Sequence, residues 1–132
     1  MSTIVDFSCY TTNDQPGNFQ EAERYCNMMK GNLASILNDN ENKFISKMEG
    51  ALEADGWKEI YIGLTSLNET SGKYHWVDGS PFKYTNWKKG EPDHPDKNKC
   101  VLMEIKSGEW AAVNCVSRRL PMICKRPNPD AS

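Results

Sequence analysis

Between residues 18 and 30 the apolar positions Phe19, Ala22, Cys26 and Met29 recur at spacings of three and four, which makes one apolar face. This spacing predicts a helix from about Asn18 to Lys30. Asn18 can cap it, and Glu21, three residues on, completes a capping box. Gly31 is placed to follow the last turn as a C′ residue. Cys26 lies on the buried face, so its sulfur is aimed at the core. Leu33-Ala34-Ser35-Ile36 follows as a short strand or extended link. Asn38-Asp39-Asn40 reads as the cap of a second helix over 40–53, with Phe44, Met48 and Leu52 as its apolar stripe and Asp55-Gly56 as its end. Both helices read as scaffold.

After Trp57 the pattern turns to strands. Glu59 to Leu64 is a mostly apolar run, as expected of a strand buried on both faces. Lys73 to Val77 is a second strand, closed by the turn signal Asp78-Gly79. Cys100 to Ile105 is a third; Lys106-Ser107-Gly108 turns the chain, and Glu109 to Cys115 runs back. Leu120 to Cys124 is the last, with Pro121 expected near an edge or at the strand start. From Gly79 to Lys99 there is little periodicity. Long loops of this kind in compact domains are commonly functional, and Phe82, Tyr84 and Trp87 predict a packed one. Helices first and strands after them give an α+β class, with one domain over 1–126 and a loose tail over 127–132.

Composition narrows the function. A chain of 132 residues fits one domain. With 38% hydrophobic and 26% charged residues, it has enough apolar surface to offset its ordering entropy, which excludes disorder as the main state. A net charge of −2 argues against a nucleic-acid binder. No apolar run is long enough to insert in a membrane. Five cysteines, Cys9, Cys26, Cys100, Cys115 and Cys124, are spread without a CxxC pair. That argues against a zinc ribbon or a thioredoxin-like motif and for extracellular disulfides. Met1 to Asp6 is no signal peptide. A mature secreted domain, its leader replaced by Met1, is the expectation; a cytosolic chain with free thiols is the alternative.

An enzyme finds little support. HExxH, P-loop, GxGxxG and nucleophile-elbow motifs are all missing from the sequence. Glu91 and Asp93 could share acid–base work, but no nearby residue is suited to raise the pKa of one. His75 and His94 lack metal-ligand spacing with a cysteine; His94, in the loop, is the better functional candidate. Trp76, Trp87 and Trp110 read as packing residues. Lys88, Lys89, Lys97 and Lys99 form either a patch for acidic or sulfated ligands or a solvated face. Asn68-Glu69-Thr70 is an N-glycosylation sequon, so Asn68 is a candidate modification site.

Several segments in order resemble the C-type lectin-like domain. "EAERYC" and "GNLASI" resemble its first helix and following strand, and Tyr61-Ile62-Gly63-Leu64 resembles its Trp-Ile-Gly-Leu strand. "HWVDGSPFKYTNW" with "GEP" resembles the entry to its long loop. "CVLMEIKSGEWAAVNC" and "PMIC" resemble its closing strands. The resemblance runs over about residues 7–126. It implies two helices packed on small antiparallel sheets, a long irregular loop, and the disulfides Cys26–Cys124 and Cys100–Cys115. Cys9 is then left over. In longer members a cysteine in this context pairs with one further upstream; the alternatives are a bridge to a second chain, giving a dimer, or a free thiol.

In sugar-binding members the long loop holds calcium through Glu-Pro-Asn or Gln-Pro-Asp, a further Glu, and the Asn-Asp of a Trp-Asn-Asp motif. Calcium takes six to eight hard oxygen ligands, several of them carboxylates. At these positions the sequence has Glu91-Pro92-Asp93, a hybrid triplet whose Pro92 would be cis, then Asn98, then Trp110-Ala111-Ala112. Methyl groups cannot coordinate calcium. Around the triplet, Lys88 to Lys99 carries four lysines against three acids, a poor field for a divalent cation. At the family's second calcium site the positions fall at Ser66, His94 and Lys99, and Glu69 keeps one oxygen. The resemblance therefore implies a secreted, non-catalytic glycan-binding module. Its ligand and metal candidates are Glu91, Asp93 and Asn98, with calcium held weakly or not at all and a glycan or glycoprotein as partner. The alternative is a calcium-independent protein-binding module on the same fold.

Overall fold

The structure, a computed structural model, describes residues 2–5 and 8–127. Helix α1 spans Phe19–Met28 behind the N-cap Asn18, and the capping box with Glu21 is formed in both directions. Its end differs from the expectation. Met29 is the C-cap and is 42% exposed, so the apolar face stops at Cys26. Lys30, not Gly31, takes the left-handed position at φ 65°. The Lys30 N–H donates to Asn27 O and the Gly31 N–H to Cys26 O, the two bonds of a Schellman motif. Gly31 is needed for another reason: a Cβ there would sit 2.6 Å from Lys125 O.

The second predicted helix is two helices, α2 over Asp39–Met48 and α3 over Gly50–Ala54. Asn38 caps α2 by accepting the Glu41 N–H. The core-facing stripe is rotated from the expected one. Asn42, Ile45 and Glu49 are buried, while Phe44 and Met48 pack only partly against the core. Two polar residues on the inner face hid this register from a hydrophobicity pattern.

The strands are β1 Ser2–Val5, β2 Ser8–Gly17, β3 Asn32–Leu33, β4 Glu59–Thr65, β5 His75–Trp76, β6 Cys100–Glu104, β7 Trp110–Val113 and β8 Leu120–Pro127. They join in one mixed sheet ordered β1-β2-β8-β4-β6-β7, with β3 added to β8 and β5 to β4. All pairs are antiparallel except β4 with β8, where Tyr61 faces Met122. The strand β2 was not expected, and it extends β8 beyond Cys124: Cys9 pairs with Arg126 and Ser8 with Pro127. Pro127, expected in the loose tail, thus ends a strand; the remaining tail lies outside the described residues. Pro121 sits next to the start of β8, beside a register shift against β2, as its missing N–H requires.

Two apolar clusters hold the layers together. One, on the α1 side, groups Phe19, Ala22, Cys26, Leu33, Tyr61, Leu102 and Met122. The other groups Ile36, Ile45, Leu52, Ile60, Ile62, Leu64, Trp76, Met103 and Trp110. Gly63 lets β4 approach the chain after α1, because a Cβ there would meet Leu33 O at 2.3 Å. Disulfides Cys26–Cys124 and Cys100–Cys115 are both present, with Cα–Cα distances of 5.3 and 5.2 Å. The first ties α1 to β8; the second ties β6 to the chain after β7.

Candidate functional site

The long stretch from Gly79 to Lys99 is irregular and is held from both ends by buried aromatics. Phe82 packs edge-on against Trp76, and Tyr84 and Trp87 pack edge-on against Trp110. Trp110 is itself fixed: its indole N–H donates 2.8 Å to the buried Asn42 amide oxygen. Backbone bonds stitch the loop to β7, from the Lys88 N–H to Trp110 O and from the Trp110 N–H to Asn86 O, each 2.9 Å. At the far end Tyr74 Oη donates 2.7 Å to Asn98 O, and Thr65 Oγ1 donates 2.6 Å to Lys99 O. Burial, and after it the charge of Glu91, raises the Tyr74 hydroxyl above its ordinary pKa.

Within this frame the sequence candidates come together. The Glu91–Pro92 peptide is cis. Glu91 Oε1 accepts the Asp93 N–H at 2.9 Å and the Ala112 N–H at 3.0 Å. Asn98 Nδ2 donates 2.8 Å to Asp93 O, which leaves the Asn98 amide oxygen as its remaining acceptor. Asp93 Oδ1 lies 2.8 Å from His94 Nδ1 in an exposed pair. Glu91, Asp93 and Asn98 are thereby linked to one another and, through the Ala112 N–H, to β7.

That group does not fit calcium well. Glu91 Oε1 is engaged by two backbone N–H groups, and methyl groups stand at 111 and 112. Among the described residues no cluster of three or more His, Cys, Asp or Glu side chains could hold a metal ion. The oxygens present fall short of the six to eight that calcium takes.

The basic patch is also smaller than the sequence suggested. Lys88 Nζ pairs with Glu104 Oε2 at 2.7 Å, and that bond is the main reason its pKa is raised. Glu104, Tyr74 and Asn42 were not singled out by sequence. Tyr74 shares the predicted Lys73–Val77 strand with Trp76, but Glu104 and Asn42 reach the loop only through the fold. Asn68 is exposed at φ 61°, in a turn closed by the Glu69 N–H on Ser66 O. Cys9 is a free thiol but only 5% exposed, so a bridge to a second chain requires this part of β2 to open.

A family model described as the lectin C-type domain matches residues 15–126. The chain belongs to the C-type lectin domain family. It is 36% identical over 127 residues to human C-type mannose receptor 2, covering 94% of this chain but only 8% of that protein. It is 29% identical over 123 residues to human lithostathine-1-beta, covering 91% of this chain and 72% of the other. The carbohydrate-recognition domain of cow CD23, solved in the presence of a GlcNAc2Man3 oligosaccharide, superposes with a TM-score of 0.82 at 29% identity, over 96% of this chain and 92% of that one. The C-type lectin fold of this chain is α+β, with helices on a mixed sheet and two disulfides. The family is non-catalytic, and a disulfide-bonded domain of this kind is typical of extracellular proteins.

Proposed function

We propose that this C-type lectin domain is a secreted glycan-recognition module whose ligand, a glycan or glycoprotein, lies on the long-loop surface at Glu91, Asp93 and Asn98. The observation that carries the reading is the linkage of these residues through Asp93 N–H, Asp93 O and Ala112 N–H. The sugar-exposed structure of the cow CD23 domain, at 29% identity, supports it. Carboxylate and amide oxygens are acceptors for sugar hydroxyls, which donate to them directly. Because the donor set falls short of calcium, recognition is expected to run through these direct bonds. Membrane insertion and nucleic-acid binding form no part of the proposal: no helix among the described residues is long and apolar enough to cross a membrane, and the chain carries net charge −2.

A second reading rests on Ala111-Ala112 and Asn98, which put methyl groups and an amide, backed by Trp87 and Trp110, where sugar-binding members have calcium ligands. It makes the same face a protein-binding surface. A glycan array probed with the purified domain, with calcium and with chelator, separates the two. Signal that survives chelator and falls in Asp93→Ala supports direct glycan recognition. Silence in both conditions removes the glycan reading and leaves the protein-binding one.

A further inference from the structure

On the α1 face a groove of about 440 Å³ opens between α1 and the ends of β4 and β5. That volume is within the range of small-ligand pockets, about 300–1,000 Å³. Phe19, Leu67 and Val77 are its apolar lining, and Glu23, Arg24 and Glu69 its charged lining. Gln20 and Asn27 stand on the helix side, and Asn68 stands on the opposite rim. Apolar side chains flanked by amide and charged groups suit a pyranose ring, which has one apolar face and a rim of hydroxyls.

The occupant follows from the rim. Asn68 begins the sequon Asn68-Glu69-Thr70, and all three residues are exposed. We infer that Asn68 carries an N-linked glycan and that the first N-acetylglucosamine of this glycan seats in the groove, over Leu67 and Val77. The inference rests on the secretory reading above, since the modifying enzyme works in that pathway. In the transfer, Asn68 Nδ2 attacks C1 of the sugar on a lipid pyrophosphate-linked oligosaccharide. The N–C1 bond forms, the C1–O bond to pyrophosphate breaks, and the amide gives up one proton as the lipid pyrophosphate leaves. The attached sugar then begins beside the apolar side chains of Leu67 and Val77. Docking covers the apolar side chains at little entropic cost, because the linkage has already localised the sugar.

The test supplies a standard secretion leader, so that it does not depend on how the natural chain is exported. The full domain is secreted from mammalian cells as parent, Thr70→Ala and Gln20→Trp. Thr70→Ala abolishes the sequon and leaves the left-handed Asn68 in place. Gln20→Trp keeps the sequon and sets a bulky ring at the groove's helix side. The parent is expected to lose a glycan mass on amidase treatment, and after endoglycosidase trimming to one sugar to keep a Tm about 2–4 °C above Thr70→Ala. NMR should show contacts from the N-acetyl methyl to Leu67 and Val77. The glycosylated Gln20→Trp protein should lose those contacts. A parent without glycan overturns the inference. So does a glycosylated parent that lacks the methyl contacts, which would place the sugar in solvent. Neither result bears on the long-loop reading, which the glycan array tests separately.

Discussion

Glu91 Oε1 accepts the Ala112 N–H at 3.0 Å, so the acid that heads the loop triplet is tied to the strand where two family ligands are replaced by methyl groups. The same oxygen also accepts the Asp93 N–H. One carboxylate thus shapes the loop from both sides without a metal. Glu91→Gln keeps an acceptor at that place and is expected to unfold within about 0.5 kcal/mol of the parent. Glu91→Ala leaves both N–H groups unpaired and should cost about 1–3 kcal/mol. Urea denaturation of the two variants distinguishes this shaping role from one of charge alone.

Calcium binding should be recoverable by restoring oxygens. Ala111→Asn with Ala112→Asp adds an amide and a carboxylate beside Glu91, Asp93 and Asn98. Calorimetry is expected to show no heat of binding for the parent. For the double variant it should show dissociation in the range typical of extracellular calcium modules, about 10⁻⁴–10⁻³ M. Residue 112 is only 6% exposed, so its new carboxylate should lower Tm in chelator and raise it again with calcium. Micromolar binding by the parent would show that the fit argument misses ligands such as main-chain carbonyls.

Asn42 is expected to matter more to the loop than its place on a helix suggests. Its amide oxygen accepts the Trp110 indole N–H, and its Nδ2 donates to Gly108 O. Asn42→Leu keeps the volume but orphans the indole N–H, at a cost of about 1–3 kcal/mol. Hydrogen exchange should quicken at the backbone N–H groups of Lys88 and Trp110, which close the loop onto β7. Faster exchange in α1 with no change at Lys88 would contradict this linkage.

What could be read in advance depended on how local the cause was. The α1 helix was legible because its cap, Asn18 and Glu21, and its buried Phe19, Ala22 and Cys26 lie within nine residues of one another. Strand β2 was not, because Thr11-Thr12-Asn13-Asp14-Gln15-Pro16 is polar and its partner β8 is more than a hundred residues away. Tertiary pairing overrode weak strand propensity there. The loop triplet and the missing ligands could be read from residue identity alone. That Lys88 is neutralised by Glu104, and that Glu91 reaches the Ala112 N–H, follows only from the fold.

The two disulfides should contribute unequally. Cys26–Cys124 closes a separation of 98 residues and Cys100–Cys115 one of 15. The chain-entropy model assigns about 4.7 kcal/mol to a loop near the first length and about 3 kcal/mol to the second. Replacing both cysteines of each bridge by alanine, in separate variants, is expected to follow that order in urea. The Cys100 and Cys115 pair should mainly loosen the chain around β7, seen as faster exchange near residues 114–119. Equal losses would mean that strain or residual unfolded structure, rather than loop length, sets the contribution.

Glu49 should make stability fall as pH rises toward neutrality. It sits between α2 and α3, 0% exposed, with Oε1 accepting from Thr12 Oγ1 at 2.5 Å and Oε2 buried without a partner. Burial pushes its pKa up to about 7, against the opposing effect of the Thr12 bond. The folded state therefore holds this proton more tightly than the unfolded chain does. The stabilisation is fully present below about pH 4.5, declines as pH climbs through about 7, and then levels off. A shift of this size corresponds to a change on the order of 3 kcal/mol across the window. Glu49→Gln mimics the protonated form and cannot ionise. Urea unfolding between pH 4.5 and 8.5 should show a falling slope in the parent and a markedly flatter profile in the variant. The variant should be the more stable of the two at pH 8. Equal slopes in both would locate the pH dependence elsewhere in the domain.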